Sequence, residues 1–463
     1  MTTIAGPGGA SATHGPGTGA TGELALVVGI GRSGEAVAAH LLAHGWQVVA
    51  IDDAPGPAGR ERARALGVEL VESPDDDALR RLVGVAGLVA TSPGVPVRHP
   101  VFRAAAEQRV PVLGEIELAW RDLDRPVIAV TGTNGKTTVT TLVARMLVES
   151  GVAAIAAGNI GLPLSSAVGR DVDVVVAEVS SFQLQFVDGF RPTVAVWLNL
   201  AADHLDWHPD VDSYVAAKAR IWERQTPDDV AVVNADDRVV MAAAASAPGR
   251  VVTFGLGRSE RVPEWSVIGK MLRGPVGPVV GLAELPRAQP HDVANALAAA
   301  AAASLMGASV EGMRAALVGF EGLPHRLQLV AAAAGVRWYD DSKATNPHAA
   351  ATAVAGFTSV VLIAGGRNKG LDLSVLALVA EPIRAVIAIG EAAGEVTAAF
   401  DGVRPVQQAA SMDEAVRLAA AVAVAGDVVL LSPGCASFDW YDSYSQRGDD
   451  FARAVRSLME DSP

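Results

Sequence analysis

The chain has 463 residues, half of them hydrophobic, and a length of this order accommodates about three domains. With 37 Lys plus Arg against 51 Asp plus Glu the net charge is −14, which makes the protein a poor general binder of nucleic acid or of an anionic membrane surface. One cysteine, Cys435, excludes an internal disulfide and suits a reducing compartment.

Residues 1–22 are mostly Gly, Ala, Thr, Pro and Ser, with neither a basic n-region nor an apolar h-region, so a disordered tail is expected and a secretory leader is not. Apolar stretches such as Ala296 to Met306 are too short and too Ala-rich to span a bilayer. A soluble, cytoplasmic protein without a membrane partner follows as the expectation.

A first domain is expected over residues 23–114. The apolar strand Leu24 to Val28 runs into Gly29-Ile30-Gly31-Arg32-Ser33-Gly34 and an Ala-rich helix, and a second strand to Ile51 ends in Asp52 and Asp53. This has the form of a dinucleotide fingerprint, in which the glycines allow a tight turn and close approach to a diphosphate. A nicotinamide cofactor or a UDP group would be served equally well. Ser92-Pro93-Gly94 follows the strand Leu88 to Thr91, at the strand end where doubly wound sheets bind ligands.

The middle domain, expected over 115–321, opens on VIAVTGTNGKTTVTTLVARMLVES, from Val127 to Ser150. An apolar strand feeds a turn holding Gly132, Thr133, Asn134 and Gly135, and Lys136, Thr137 and Thr138 start a helix whose apolar residues recur at helical spacing as far as Leu147. The free N–H groups and positive dipole end of such a helix face the turn, Lys136 adds a point charge, and the Thr137 hydroxyl suits Mg²⁺. ATP or a similar nucleotide is the expected ligand.

Asn159 lies in the run Gly158-Asn159-Ile160-Gly161. Glu178 ends the strand starting at Val174, a position from which a carboxylate can hold Mg²⁺ directly or through water. Beyond the strand Val194 to Leu198, His204 and His208 are four apart but lack the helical H-E-x-x-H frame of a zinc site, so His204 is read as a group beside phosphate and Mg²⁺, and His208 as incidental. Lys218 sits among apolar neighbours on a helix, where it either snorkels to water or, if desolvated beside a metal, becomes open to chemical modification. Asn295 is in the first turns of an Ala-rich helix, suited to an adenine edge or to capping.

The last domain, expected over 322–463, has apolar strands at Val336 to Tyr339, Val360 to Ile363, Ala385 to Ile389 and Val428 to Leu431, with helical patterns between them. Polar runs follow three strand ends: Asp340 to Pro347, Gly365 to Gly370 and Ser432 to Ser437. Three such turns on one sheet edge are expected to form a pocket.

The motifs TGTNGKTT, GNIG, AEVSSFQL, AADHLDWH, HDVANALAAA, LPHR, DDSKATNP and LSPGCASFDWYDSYSQRG together resemble those of the Mur ligases of bacterial cell-wall synthesis, over residues 23–463. The segments DSKATN and SPGCASFD resemble the branch that joins D-glutamate to UDP-N-acetylmuramoyl-L-alanine. The resemblance implies an α/β protein of three domains: an N-terminal Rossmann-like UDP-binding domain, a central P-loop-type ATPase domain and a C-terminal Rossmann-like domain for the amino acid. It also implies a monomer using ATP and Mg²⁺, with two ions expected, and an acyl-phosphate intermediate.

Carried over by position, Lys136 meets the transferring phosphoryl group, and Thr137, Glu178 and His204 surround Mg²⁺, joined by Lys218 once carbamylated. Asn295, Arg326, Asp341 and Lys343 complete the ATP site. Thr345, Lys369, Ser437 and Tyr444 match the D-glutamate site, Arg32, Ser33, Asp52, Ser92 and Gly94 the UDP site, and Asn159 a substrate position near the reaction centre. Asp292, Asp53, Ala54 and Tyr444 depart from the usual residues. Three rivals fit less well: a relative using another amino acid or folate should carry a last-domain turn different from DSKATN, a nicotinamide dehydrogenase leaves Lys136 without a role, and a catalytically silent nucleotide binder has no use for Lys218 and His204.

Overall fold

The computed structural model describes residues 22–159, 161–204, 207–258 and 262–460, so the expected tail lies outside it except for Gly22. The first sheet holds β1 (Leu24–Val28), β2 (Gln47–Asp52), β3 (Glu69–Glu72), β4 (Leu88–Thr91) and β5 (Val112–Gly114), all parallel, in the order β3-β2-β1-β4-β5. Strand periodicity splits its apolar residues between two faces. Ala25 and Val27 pack with Val37 and Leu41 of the helix Arg32–Ala43, whereas Leu26 and Val28 pack with Leu79, Val83 and Val101.

The second sheet is also parallel: β6 (Val127–Thr131), β7 (Ala154–Gly158), β8 (Val174–Glu178), β9 (Val194–Trp197), β10 (Val230–Asn234) and β11 (Arg250–Phe254), in the order β11-β10-β9-β6-β8-β7. Its central strand β6 is buried along its whole length and delivers the phosphate turn from its carboxyl end. A three-stranded antiparallel sheet follows, β12 (Ser266–Ile268), β13 (Met271–Gly274) and β14 (Gly277–Gly281), which the sequence pattern did not disclose.

The last sheet contains β15 (Gln328–Ala333), β16 (Val336–Asp340), β17 (Val360–Gly365), β18 (Ile383–Ile389), β19 (Val406–Ala409) and β20 (Val428–Leu431), in the order β15-β16-β20-β17-β18-β19. Only β15 runs antiparallel to its neighbour. Because β16, β20 and β17 are adjacent and parallel, the three polar turns that follow them leave the same sheet edge.

The chain packs as two compact units. One takes the chain up to Leu200 with Asp212–Leu285 and Ala294–Gly319, and so holds the first three sheets. The other takes Phe320 onward and also claims Ala201–Val211 and Pro286–Val293. Within the first unit the helix Glu115–Asp122 links the two parallel sheets: the fully buried Glu117 carboxylate accepts the backbone N–H groups of Asp188, Gly189 and Phe190 at 3.0, 3.0 and 2.9 Å. Three charge-assisted bonds to one carboxylate offset the cost of burying it.

Candidate active site

The helix Lys136–Glu149 begins after Gly135, whose φ of +88° suits glycine and whose added Cβ would lie 2.5 Å from Asn295 Oδ1. That close approach puts Asn295 against the phosphate turn. Lys136 Nζ donates to the carbonyls of Gly132 (2.8 Å) and Thr133 (2.9 Å), and Lys218 Nζ donates to the same Gly132 carbonyl at 3.0 Å. Lys218 is buried, with its ammonium 4.5 Å from the centre of the Tyr214 ring. Of the two sequence readings for this lysine, the snorkelling one is therefore corrected: it ends inside the protein because the helix Val211–Ala219 turns it inward.

Two residues given no role from sequence hold the turn in shape. Asn199 Oδ1 accepts the Asn134 N–H (2.9 Å) while its Nδ2 donates to the Asn134 carbonyl (3.0 Å), a two-point clamp. The Tyr214 hydroxyl lies 3.2 Å from Thr133 Oγ1. Asn199 follows an apolar strand directly, and that placement was its one sequence signal.

Glu178 ends β8 opposite Val130 of β6, two residues before Gly132. Its Oε1 accepts from Asn159 Nδ2 at 2.8 Å, whereas its buried Oε2 has no hydrogen-bond partner. A buried carboxylate oxygen left unmatched carries a desolvation cost that a cation would remove. A strand-end carboxylate oxygen of this kind fits Mg²⁺, a hard cation that takes carboxylate oxygen.

In the first domain Asp52 ties down the glycine turn, its Oδ2 accepting Ile30 N–H (2.8 Å) and its Oδ1 accepting Ala54 N–H (2.9 Å). Ser92 Oγ donates to the Gly29 carbonyl at 2.7 Å. Asp52 and Gly94 line a crevice of about 230 Å³ together with Gly29, Asp53, Ala54 and His99. Arg32, Ser33 and Ser92 are not in that lining, and Arg32 is exposed. His99, overlooked in the sequence, has Nε2 3.3 Å from Asp53 Oδ2.

In the second unit Asp203, His204, Asn346 and Lys369 meet. Asp203 is buried, accepts from Asn346 Nδ2 at 2.9 Å and pairs with Lys369 Nζ at 3.4 Å. Burial by itself raises the Asp203 pKa, but Lys369, His204 and the hydrogen bonds outweigh it and hold the carboxyl below its ordinary value. His204 has a φ of +57° and its backbone N–H donates to Asp203 Oδ1 at 2.8 Å. His208, read as incidental, is completely buried, and Asp206 lies outside the described residues.

Asp341 is buried where β16 ends, accepting Ser432 Oγ (2.7 Å) and Leu327 N–H (3.2 Å). Burial pushes its pKa up to about 7, against the pull of Ser432 and Arg326. Arg326 Nε is itself buried without a hydrogen-bond partner. Lys343 lies over the Tyr444 ring, 5.4 Å from its centre.

The turns after β16 and β20 are stitched together by Arg447, which had no assigned role. Its guanidinium donates to Ser342 Oγ (2.9 Å), the Ser342 carbonyl (2.8 Å) and the carbonyls of Cys435 (3.1 Å) and Ala436 (3.2 Å). Burial lowers the Arg447 pKa to about 10, so it stays charged at neutral pH. Burial likewise pushes the Cys435 thiol up to about 12, which makes it a packing residue of this turn and no nucleophile. His325, from the run LPHR, has Nδ1 2.7 Å from Asp340 Oδ2.

Family models match three consecutive segments: the Mur ligase MurD-like N-terminal domain over residues 23–114, the Mur ligase middle domain over 130–303 and the Mur ligase glutamate ligase domain over 325–435. The chain belongs to the Mur ligase family. It is 45% identical to the UDP-N-acetylmuramoylalanine–D-glutamate ligase of Desulfosudis oleivorans, over 94% of this chain and 96% of that one. The protein of the same name from Frankia casuarinae is also 45% identical, over 93% of each chain. A pseudomurein peptide ligase type C from Methanothermus fervidus shares the fold, with a TM-score of 0.60 at 19% identity, covering 94% of this chain and 100% of the other. The three-domain α/β architecture is that of the Mur ligases, a family that uses ATP. No helix among the described residues is long and apolar enough to cross a membrane.

Proposed function

We propose that this chain is an ATP-dependent ligase that joins D-glutamate to UDP-N-acetylmuramoyl-L-alanine in the cytoplasm, acting as a monomer. The observation that carries the chemistry is the pairing of Lys136 and Lys218 on one carbonyl of the phosphate turn with a strand-end carboxylate, Glu178, that keeps a buried oxygen unmatched. The activity named for the relatives at 45% identity supports the choice of substrates.

A carboxylate is a poor electrophile until it carries a leaving group. In the proposed reaction the L-alanyl carboxylate oxygen attacks the γ-phosphorus of ATP, the bond to ADP breaks, and an acyl phosphate forms. The amine of D-glutamate then attacks the acyl carbon, and a tetrahedral intermediate expels phosphate, leaving an amide and releasing a proton. No enzyme nucleophile is required, so catalysis rests on positioning and on neutralising charge.

Lys136 exchanges its bonds to the loop carbonyls for the transferring phosphoryl group, while the Asn199 clamp holds the turn in shape. Thr137, Thr138 and the turn residues Gly132, Thr133, Asn134 and Gly135 complete the phosphate cradle at the start of the helix. Thr137, Glu178, His204 and Lys218, once carbamylated by CO₂, are the residues that would hold Mg²⁺. When bound, Mg²⁺ neutralises charge on the phosphate oxygens. Asn295, Arg326, Asp341 and Lys343 are assigned to ATP, and Thr345, Lys369, Ser437 and Tyr444 to D-glutamate. Arg32, Ser33, Asp52, Ser92 and Gly94 are assigned to UDP, of which Asp52 and Gly94 have the firmest support because they line the crevice of the first domain. Asn159 is assigned to the substrate near the reaction centre, a role it would combine with holding Glu178.

The deciding experiment follows phosphate release with ATP, Mg²⁺, UDP-N-acetylmuramoyl-L-alanine and a panel of amino acids. D-Glutamate should support release, and L-glutamate and L-lysine far less. Equal rates with all three would remove the assignment, and ¹⁸O placed in the alanyl carboxylate must appear in the released phosphate.

A further inference from the structure

At the amino ends of β1, β4 and β5, opposite the glycine turn, the first unit has a second and larger concavity of about 460 Å³. Glu23, Trp46, Leu113 and Leu118 contribute to its wall, and three ligand-type side chains converge in it: His40, His44 and Asp122. His40 is in the last turn of the helix Arg32–Ala43, His44 is its C-cap, and Asp122 closes the helix Glu115–Asp122. None of the three belongs to the nucleotide crevice or to the phosphate turn.

The separation of four residues puts both imidazoles on one helix face, with ring centres 4.4 Å apart. Both point Nε2 at the same carboxylate oxygen, Asp122 Oδ2, at 2.8 Å from His40 and 3.3 Å from His44. One donor atom from each of the three residues falls within 4.8 Å of the others. His44 Nδ1 is 2.8 Å from the His40 carbonyl, which can only accept, so that nitrogen carries the hydrogen and the neutral ring presents its lone pair through Nε2. A backbone carbonyl behind a histidine in this way fixes the tautomer that a metal takes. The same tautomer leaves a lone pair facing a carboxylate, an arrangement that a cation between them relieves. Arg121 next door is held by Glu117 at 2.8 Å and does not fill that role.

We propose that His40, His44 and Asp122 bind one divalent ion of the zinc type, at a site separate from the Mg²⁺ of the ligase reaction, with the remaining coordination position open to the concavity. Two imidazoles and one carboxylate are a borderline donor set that suits Zn²⁺ or Co²⁺ better than Mg²⁺, a harder cation whose ligands are mostly oxygen. Three protein ligands with an open fourth position also leave room for a small anionic or water ligand.

The test titrates the full-length protein with Co²⁺ in the presence of excess Mg²⁺, reading the visible d–d bands. One equivalent should bind with the intense bands of a four-coordinate nitrogen and oxygen site. His44→Ala and Asp122→Asn should each weaken binding about 100-fold, while Glu178→Gln leaves the titration unchanged. His44 is partly exposed, so its removal leaves the core alone, and an unaltered melting curve without metal checks this. Zn²⁺ should raise the melting temperature of the wild type and not of His44→Ala. Failure to saturate in the micromolar range, or equal binding by wild type and His44→Ala, overturns the site.

Discussion

Lys218 is a long cation with its ammonium inside the protein, sharing the Gly132 carbonyl with Lys136. Lys218→Ala is expected to lower kcat about 100-fold or more in the phosphate-release assay, and ¹³C-labelled bicarbonate should give a carbamate resonance in the wild type that this variant lacks. Asp341 makes a pH prediction. Its folded pKa of about 7 is raised above its ordinary 3.8, so the folded state holds a proton that the unfolded chain has lost. Its contribution to stability is full below 3.8 and disappears as pH rises through about 7. Asp341→Asn should therefore gain on the wild type in urea melts across that window, by at most on the order of 4 kcal/mol. Arg447 was invisible as a functional residue because its signal, one arginine in the run SQRG, resembles any surface cation, and its importance arises from burial that brings four acceptors to it. Arg447→Leu should lower unfolding stability by about 2–4 kcal/mol, measured by urea titration.

At the scale of single elements, the strand-turn-helix from Val127 to Glu149 was legible because apolar runs, glycines and helical spacing are local properties. Gly135→Ala should weaken nucleotide binding at least about tenfold and destabilise by about 1–3 kcal/mol, since a side chain there is strained at positive φ and crowds Asn295. Isothermal titration with ATP and a melting curve would check both halves. The strands of the parallel sheets could be read for the same local reason, whereas β12, β13 and β14 are short, carry Gly and Pro, and alternate weakly. Side-chain roles set by distant partners were harder. Asn199 and His99 gain meaning from a loop or a carboxylate far along the chain, and the Arg32 and Ser33 assignments came from resemblance, while the first-domain crevice is lined by Asp52, Asp53 and His99.

For the molecule as a whole, hydrophobic cores lie on both faces of the first and last sheets, and the two compact units have separate interiors. Unfolding is expected to depart from a single two-state step, with a van't Hoff enthalpy below the calorimetric one in differential scanning calorimetry. The chain moves between the units five times, at Leu200, Val211, Leu285, Val293 and Gly319. An expression fragment cut near residue 320 would therefore carry Ala201–Val211 and Pro286–Val293 as orphaned passengers. Asp203 would be severed from Lys369 and Asn346, and Arg287 from the Arg326 carbonyl that it holds at 2.7 Å. Gene dissection along the sequence-drawn border should yield sticky, poorly behaved material, and a split that respects the architecture has to excise those two segments together with the carboxyl-terminal piece.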